Sequence, residues 1–187
     1  RLGEADVMIA GGTESMSMVP MMGNKVSMNP AMFEHEENVA IAYGMGMTAE
    51  KVAEQWKVSR EDQDEFALTS HLRALKAIET GEFQQEIAPY RVDEKRPDLI
   101  THQVHEETAV KDTDEGPRAD TSLVALAKLR PVFAAKGSVT AGNSSQMSDG
   151  AGAVVLMSEA AMKRFNLSPL GRFVGFSVAG VPPEIMG

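Results

Sequence analysis

Two histidines and a carboxylate form the pattern that comes closest to a metal site. His102 and His105 are three positions apart, and Glu106 follows directly. Zinc sites use imidazole and carboxylate ligands, and they need at least three of them. In a strand or a turn, this spacing places the two rings on opposite faces. Since no third ligand is apparent, we expect no metal site here.

An acidic cluster could carry acid/base chemistry or bind a metal, and it consists of Glu61, Asp62, Asp64 and Glu65. Ser59 lies three positions before Asp62, which is typical of a capping box at the start of a helix. The helix dipole also favours carboxylates in the first turns. We therefore interpret the cluster as the solvated start of a helix.

A glycine-rich strand end is the third candidate, because such a loop can cradle a phosphate. The apolar strand Val7–Ala10 runs into Gly11–Gly12 and the sequence GGTES. This sequence lacks both the P-loop lysine and the G-x-G-x-x-G spacing. An apolar strand followed by glycines is instead typical of a doubly wound α/β sheet.

Residues 137–158 form the stretch richest in small side chains, GSVTAGNSSQMSDGAGAVVLMS. Ser138–Thr140 predicts a short strand. The small residues that follow allow a backbone or a ligand to approach closely, with unusual dihedral angles at Gly142 and Asn143. Val154–Met157 predicts a strand buried on both faces. Such a loop is suited to binding.

The remaining pattern predicts further helices and strands that would position these residues in an α/β fold. Helices are expected from Thr48 through Lys57, from Ser59 to Thr80–Gly81, and from Arg118 to Arg130 with Asp120 or Thr121 as cap. Short β segments are expected at Glu86–Val92, Leu99–Val104 and Gly171–Ala179.

Composition excludes several classes of function. The chain has 187 residues, and its net charge of −9 argues against a nucleic-acid or anionic membrane surface. It has no apolar run long enough to span a bilayer. With no cysteine it has no disulfides, which is compatible with the cytoplasm. Because the chain starts at Arg1 and ends in a loop, we interpret it as an internal piece of a longer protein.

Several ordered blocks carry a resemblance to one family. They are DVMIAGGTESMSMVP, MGMTAEKVAEQW, VSREDQDEFALTSH, TSLVALAKLRPVF, VTAGNSSQMSDGAGAVVLMSE and PLGRFVGFSVAGVPPEIMG. Together they cover nearly the whole chain, and the chain resembles the thiolases, that is, 3-ketoacyl-CoA thiolases and acetyl-CoA acetyltransferases. The resemblance implies part of the α/β thiolase fold. It divides the chain into the end of the N-terminal half (1–18), an inserted α+β loop domain (19–136), a return to the N-terminal half (137–168) and the start of the C-terminal half (169–187).

The resemblance also implies a binding site for coenzyme A, as a substrate and not as a tightly bound cofactor. The residues it implies are Met45, Arg118, Leu126, Leu129, Phe133, Ala141, Gly142 and Ser145. Apolar walls suit an adenine, a guanidinium suits the nucleotide, and small loop residues leave room for a pantetheine arm. Gly44 and Ala125 depart from the histidine and serine that many thiolases carry, which leaves the acyl-chain preference open.

The catalytic groups that the resemblance implies do not occur in this chain. Thiolases use two cysteines, a histidine in a G-H-P motif and an asparagine in N-E-A-F. The chain has no cysteine and neither motif, and Asn143 falls in the coenzyme A loop. We therefore assign no catalytic residue, and we expect a central fragment of an acyltransferase that is inactive alone.

The parent enzyme is expected to transfer an acyl group between 3-ketoacyl-CoA and coenzyme A. The resemblance favours fatty acid metabolism of the β-oxidation type and a homodimer or homotetramer. From the composition we expect a cytoplasmic location and no nucleic-acid or membrane partner. One alternative is a stand-alone module that binds coenzyme A or a nucleotide without catalysis. Another is an oligomerisation piece, suggested by the methionine-rich segment Met8–Met47.

Overall fold

The computed structural model describes residues 3–186, which form two compact units. Residues 44–145 form the first, which we call the middle unit. The terminal unit consists of the chain before Gly44 and from Gln146 onward. No helix in the described part of the chain is long and apolar enough to cross a membrane.

The described residues contain both helices and strands. In order they are β1 (Val7–Ser15), α1 (Glu36–Val39), α2 (Met45–Trp56), α3 (Arg60–Glu79), β2 (Tyr90–Asp98), β3 (Gln103–Lys111), α4 (Leu123–Ala127), β4 (Asp149–Met157) and α5 (Glu159–Arg164). Short 3-10 helices occupy Pro30–Phe33, Ala40–Ala42 and Pro183–Ile185.

In the terminal unit, β1 and β4 pair as an antiparallel ribbon. Val7 faces Met157 at one end and Ser15 faces Asp149 at the other. Asp149 also accepts hydrogen bonds from the backbone N–H of Ser17, at 2.9 Å, and from its hydroxyl. The doubly wound arrangement expected for Val7–Ala10 is therefore wrong here. The strand continues through both glycines, because their backbone groups pair with Gly152 and Ala153.

The strand predicted at Val154–Met157 is confirmed as part of β4. Its predicted burial on both faces is wrong, since Val155 is 60% exposed. No other strand of the described chain pairs with this ribbon. The segment 171–179 forms no strand, so that prediction is wrong as well. α5 follows β4 directly and begins where the Ser158 hydroxyl accepts a hydrogen bond from the backbone of Ala161, at 3.1 Å.

In the middle unit, α2 begins one turn earlier than predicted. Gly44, and not Thr48, is its cap, because Gly44 is extended and its carbonyl accepts from the backbone N–H of Met47, at 2.9 Å. Thr48 is buried within the helix. The start of α3 is confirmed, since the Ser59 and Asp62 side chains form the expected capping box. Gly81, with φ of 74°, follows its last turn.

The β segments between α3 and α4 lie later in the chain than predicted. β2 and β3 form an antiparallel hairpin in which Tyr90 faces Lys111, so Leu99–His102 is the turn and not a strand. His102 adopts a left-handed conformation in this turn, with φ of 54°. The turn forms because Asp98 accepts hydrogen bonds from the backbone N–H groups of Ile100, at 2.8 Å, and Thr101, at 3.2 Å.

These bonds predict an unusually acidic Asp98. Hydrogen bonds from Thr101 first, then from Ile100, lower the pKa of Asp98 from 3.8 to about 2. Because the folded pKa is the lower one, the carboxylate stabilises the hairpin above pH 3.8, and this contribution is lost as the pH falls through 2. An NMR titration of the Ile100 and Thr101 amides should show this low midpoint. A midpoint near 3.8 would contradict the turn described here.

α4 is shorter than predicted. It spans Leu123–Ala127 and is capped by Ser122, whose hydroxyl accepts from the backbone N–H of Ala125, at 3.2 Å. A start at Arg118 with Asp120 or Thr121 as cap is therefore wrong. The serine takes this role because its extended backbone places the hydroxyl over the first turn.

Candidate functional site

The loop from Ser138 to Ser145 is organised around Thr140, which is completely buried. The Asn143 side-chain oxygen accepts from the backbone N–H of Thr140, at 2.7 Å, and the Ser144 hydroxyl donates to the Thr140 carbonyl, also at 2.7 Å. The Thr140 hydroxyl accepts from the backbone N–H of Gly142, at 3.2 Å. The polar groups of Thr140 are therefore satisfied within the loop, which helps to fix its shape.

Asp64 joins this loop to α3 and α4. It accepts a hydrogen bond from the Asn143 amide, at 2.9 Å, and one from Arg60, at 2.8 Å. Arg60 in turn donates to the carbonyl of Leu126, at 2.6 Å. Asp64 is only 4% exposed, so its interpretation as part of a solvated helix start is wrong. The i, i+4 spacing of Arg60 and Asp64 was the signal in the sequence for an ion pair.

Glu50 of α2 binds the other end of the loop. Its carboxylate accepts from the backbone N–H groups of Ser138 and Val139, each at 2.9 Å. Ser138–Thr140 is therefore not the predicted strand, because Glu50 takes the amides that a strand partner would need. Only Thr140 makes an isolated bridge, to Pro131. A Cβ atom at Gly137 would lie 2.1 Å from a carboxylate oxygen of Glu50, so a larger residue here would displace the carboxylate from its present position.

Gly142 lies directly against two leucines of the predicted coenzyme A site. A Cβ atom at this position would lie 2.5 Å from the Leu129 side chain and 2.6 Å from that of Leu126. Neither Gly142 nor Asn143 has a positive φ, so the unusual dihedral angles expected there are not found in the described loop. Glycine is required instead because the loop packs closely on the apolar wall.

Phe133 forms a second apolar contact, with the start of α2. Its ring covers Gly46, where a Cβ atom would lie 2.2 Å from the nearest ring carbon. Met45 precedes Gly46 and is 52% exposed. The backbone N–H of Val132 donates to the Val139 carbonyl at 3.1 Å, which ties the Phe133 segment to the loop.

Arg118 is exposed and forms a bidentate pair with Asp120. Its Nε and one terminal nitrogen donate to the two carboxylate oxygens, at 3.0 and 2.8 Å. These hydrogen bonds raise the pKa of Arg118 and lower the pKa of Asp120. The backbone N–H of Arg118 donates to Nδ1 of His71 on α3, at 3.1 Å. Sequence reasoning missed His71, because no local pattern links it to a residue so far along the chain.

The predicted site residues all lie in the middle unit, although the structure brings them together only in part. Gly142 contacts Leu126 and Leu129. The Phe133 ring contacts Gly46, which follows Met45 in the chain. Ala141 and Ser145 are exposed on the same loop. Arg118 contacts other residues, namely Asp120 and His71. The described residues contain no group of three side chains that could bind a metal.

Comparison with known proteins shows which family this fold represents. Residues 1–160 match the N-terminal domain of the thiolases. The chain therefore belongs to the thiolase family, and its fold class, a fragment of the α/β thiolase fold, is confirmed.

Similar relatives carry the two names that the resemblance implied. The chain is 48% identical over 191 residues to a 3-ketoacyl-CoA thiolase of Bacillus subtilis, and all of it aligns with 47% of that protein. It is 41% identical over 197 residues to an acetyl-CoA acetyltransferase of Pseudomonas aeruginosa, again over its whole length and 48% of the relative. The chain thus spans about half the length of these relatives.

Solved structures agree with this assignment. The dimeric peroxisomal thiolase of Saccharomyces cerevisiae matches with a TM-score of 0.80 and 38% identity, over 98% of this chain and 44% of the yeast chain. Human mitochondrial 3-ketoacyl-CoA thiolase matches with a TM-score of 0.74 and 38% identity, over 97% of this chain and 46% of the human chain.

Proposed function

We propose that this chain supplies the coenzyme A-binding part of a thiolase that transfers an acyl group between 3-ketoacyl-CoA and coenzyme A. The observation that carries the proposal is the close packing of Gly142 on Leu126 and Leu129. The loop needs no ligand to satisfy its buried polar groups, so its exposed edge at Ala141 and Ser145 is free to border a narrow pantetheine arm.

The polar end of the ligand belongs at Arg118. Its side chain is 67% exposed, and its ion pair is with a similarly exposed carboxylate, Asp120, at 71%. Such surface pairs are weak, so a phosphate can compete for the same donors. Leu129 and Phe133 are partly exposed and offer apolar surface for the adenine. Met45 is exposed and precedes Gly46, which the Phe133 ring covers, so we assign it to the pantetheine arm.

The reaction itself requires groups that these residues do not supply. A thiolase attacks its substrate with a cysteine, and this sequence contains none. We propose that the chain binds coenzyme A but does not turn over substrate. We also propose how the chain is divided among the parts of the thiolase fold. Residues 1–18 end the N-terminal half, 19–136 form the loop domain, 137–168 belong again to the N-terminal half, and the C-terminal half starts at 169.

The names of the similar relatives support a proposal about the metabolic role of the parent enzyme. A 3-ketoacyl-CoA thiolase is more similar to this chain than an acetyl-CoA acetyltransferase is, at 48% against 41% identity. This favours a degradative role in fatty acid β-oxidation. The yeast relative is described as dimeric, which supports a homo-oligomeric parent enzyme. We further propose a cytoplasmic location, with acyl-CoA and not nucleic acid as partner, in keeping with the net charge of −9.

Titration calorimetry with coenzyme A tests the binding proposal. The chain should bind saturably, and Arg118→Ala should weaken binding about tenfold or more, because a charge-assisted contact to phosphate is lost. Arg73→Ala, which removes another exposed arginine of the middle unit, should bind like the wild type. Free adenosine should bind more weakly and should not distinguish the variants. Equal affinity of the two arginine variants would contradict the assignment of Arg118, and thioester cleavage by the chain would contradict its inactivity.

A further inference from the structure

His71 lies outside the predicted site but forms a hydrogen bond with one of its residues, Arg118. It lies on α3 and is half-buried, and its Nδ1 accepts the backbone N–H of Arg118 at 3.1 Å. A nitrogen that accepts a hydrogen bond carries no proton, so the proton of the neutral ring is on Nε2. The contact therefore exists only while His71 is uncharged.

This contact anchors a segment that lacks regular structure. The described residues 112–122 contain neither helix nor strand. The pair of Arg118 with Asp120 joins residues two positions apart, so it moves with the segment and cannot fix its place. His71 belongs to a long helix with a confirmed capping box, and it joins Arg118 across 47 positions. The histidine thus connects the Arg118 backbone to a rigid element.

We propose that neutral His71 is a positioning residue for Arg118, and that its protonation weakens coenzyme A binding. This inference rests on the proposed function. A protonated ring presents an N–H to the Arg118 N–H, so the hydrogen bond is replaced by two opposed donors and the segment is released. Histidine side chains commonly change charge between about pH 5 and 8, so the effect falls in an accessible range.

Nearby charges do not by themselves decide the outcome. The Asp120 carboxylate interacts with His71, and besides the hydrogen bond from Arg118 this interaction contributes to the lowered pKa of Asp120. On α3, the residues one turn before and after His71 are uncharged, namely Ala67, Leu68, Ala74 and Leu75. The expected effect therefore comes from the loss of the hydrogen bond to the Arg118 N–H.

The test compares wild type with His71→Asn and His71→Leu. The asparagine oxygen can accept the same N–H at any pH, whereas leucine cannot. At about pH 8, wild type and His71→Asn should bind coenzyme A alike, and His71→Leu about fivefold more weakly. At about pH 5, the coenzyme A affinity of the wild type should fall to that of His71→Leu. His71→Asn should still bind coenzyme A more tightly than His71→Leu. Ratios between variants at one pH cancel the titration of the ligand's own phosphates.

A second readout needs no ligand. Hydrogen exchange of the Arg118 amide should be faster in His71→Leu than in wild type, and slow again in His71→Asn. Unchanged exchange in His71→Leu, or a wild type/His71→Asn ratio independent of pH, would overturn the inference while leaving coenzyme A binding intact. If none of the three proteins binds coenzyme A, the proposed function itself fails, and the inference fails with it.

Discussion

Asp64→Ala will lower the free energy of unfolding of the middle unit by about 3–5 kcal/mol, because it leaves the charge of a largely buried Arg60 without its carboxylate partner. The side chains of Asp64 and Arg60 are only 6% and 21% exposed, so water cannot replace the lost carboxylate. The Asn143 amide also loses its acceptor, and with it the loop loses its connection to α3. Urea unfolding followed by far-UV circular dichroism and by Trp56, the only tryptophan, measures the effect.

Glu65→Ala is the matched control for this change. Glu65 is the next residue of the same helix, but it is exposed, so its loss should change stability by less than about 0.5 kcal/mol. Asn143→Ala and the double variant complete a double-mutant cycle. The stability losses at Asp64 and Asn143 should be strongly non-additive in this cycle. Superimposable unfolding curves for Asp64→Ala and Glu65→Ala would show that the buried network contributes nothing.

The second large loss of stability is expected from a substitution at Gly46. Gly46→Ala places a methyl group 2.2–2.4 Å from three carbons of the Phe133 ring, so the ring must leave its position. Overpacking of this kind costs about 1–3 kcal/mol. The displaced ring also belongs to the proposed adenine wall, so coenzyme A affinity should fall in the same variant. Thermal unfolding and calorimetric titration measure the two consequences.

The Phe133→Ala background separates this clash from any other effect of the methyl group. Without the ring, Gly46→Ala should be neutral or stabilising, because alanine favours a helix more than glycine does. The sign of the stability change at Gly46 should therefore reverse between the two backgrounds. An equal loss of stability in both would show that Phe133 does not cover Gly46.

Local features of the fold could be predicted from the sequence, and longer-range ones could not. The capping box of Ser59 and Asp62 was found because its partners are three positions apart. Asp64 was misread because its partner Asn143 lies 79 positions away, and nothing local distinguishes a buried carboxylate from the solvated ones beside it. The strand predicted at Ser138–Thr140 failed for a similar reason, since Glu50 of a different helix takes its amides.

In the candidate site, too, contacts between residues far apart in the chain could not be predicted from the sequence. Gly142 was identified through a family resemblance, and the structure adds the physical reason, which is the contact with Leu126 and Leu129. His71 carries no motif at all, so only the folded chain reveals its bond to Arg118. Sequence pattern and spacing cannot identify a residue whose role depends on backbone groups far away in the chain, whatever the chemistry of that residue.

The pairing of β1 with β4 also sets an order of events during synthesis. Val7 is synthesised well before its partner Met157. β1 therefore cannot form this ribbon until β4 has been made, whereas the middle unit can already form from contacts within residues 44–145. During that interval β1 is open to other apolar surfaces, so this strand is where a chaperone would be needed most.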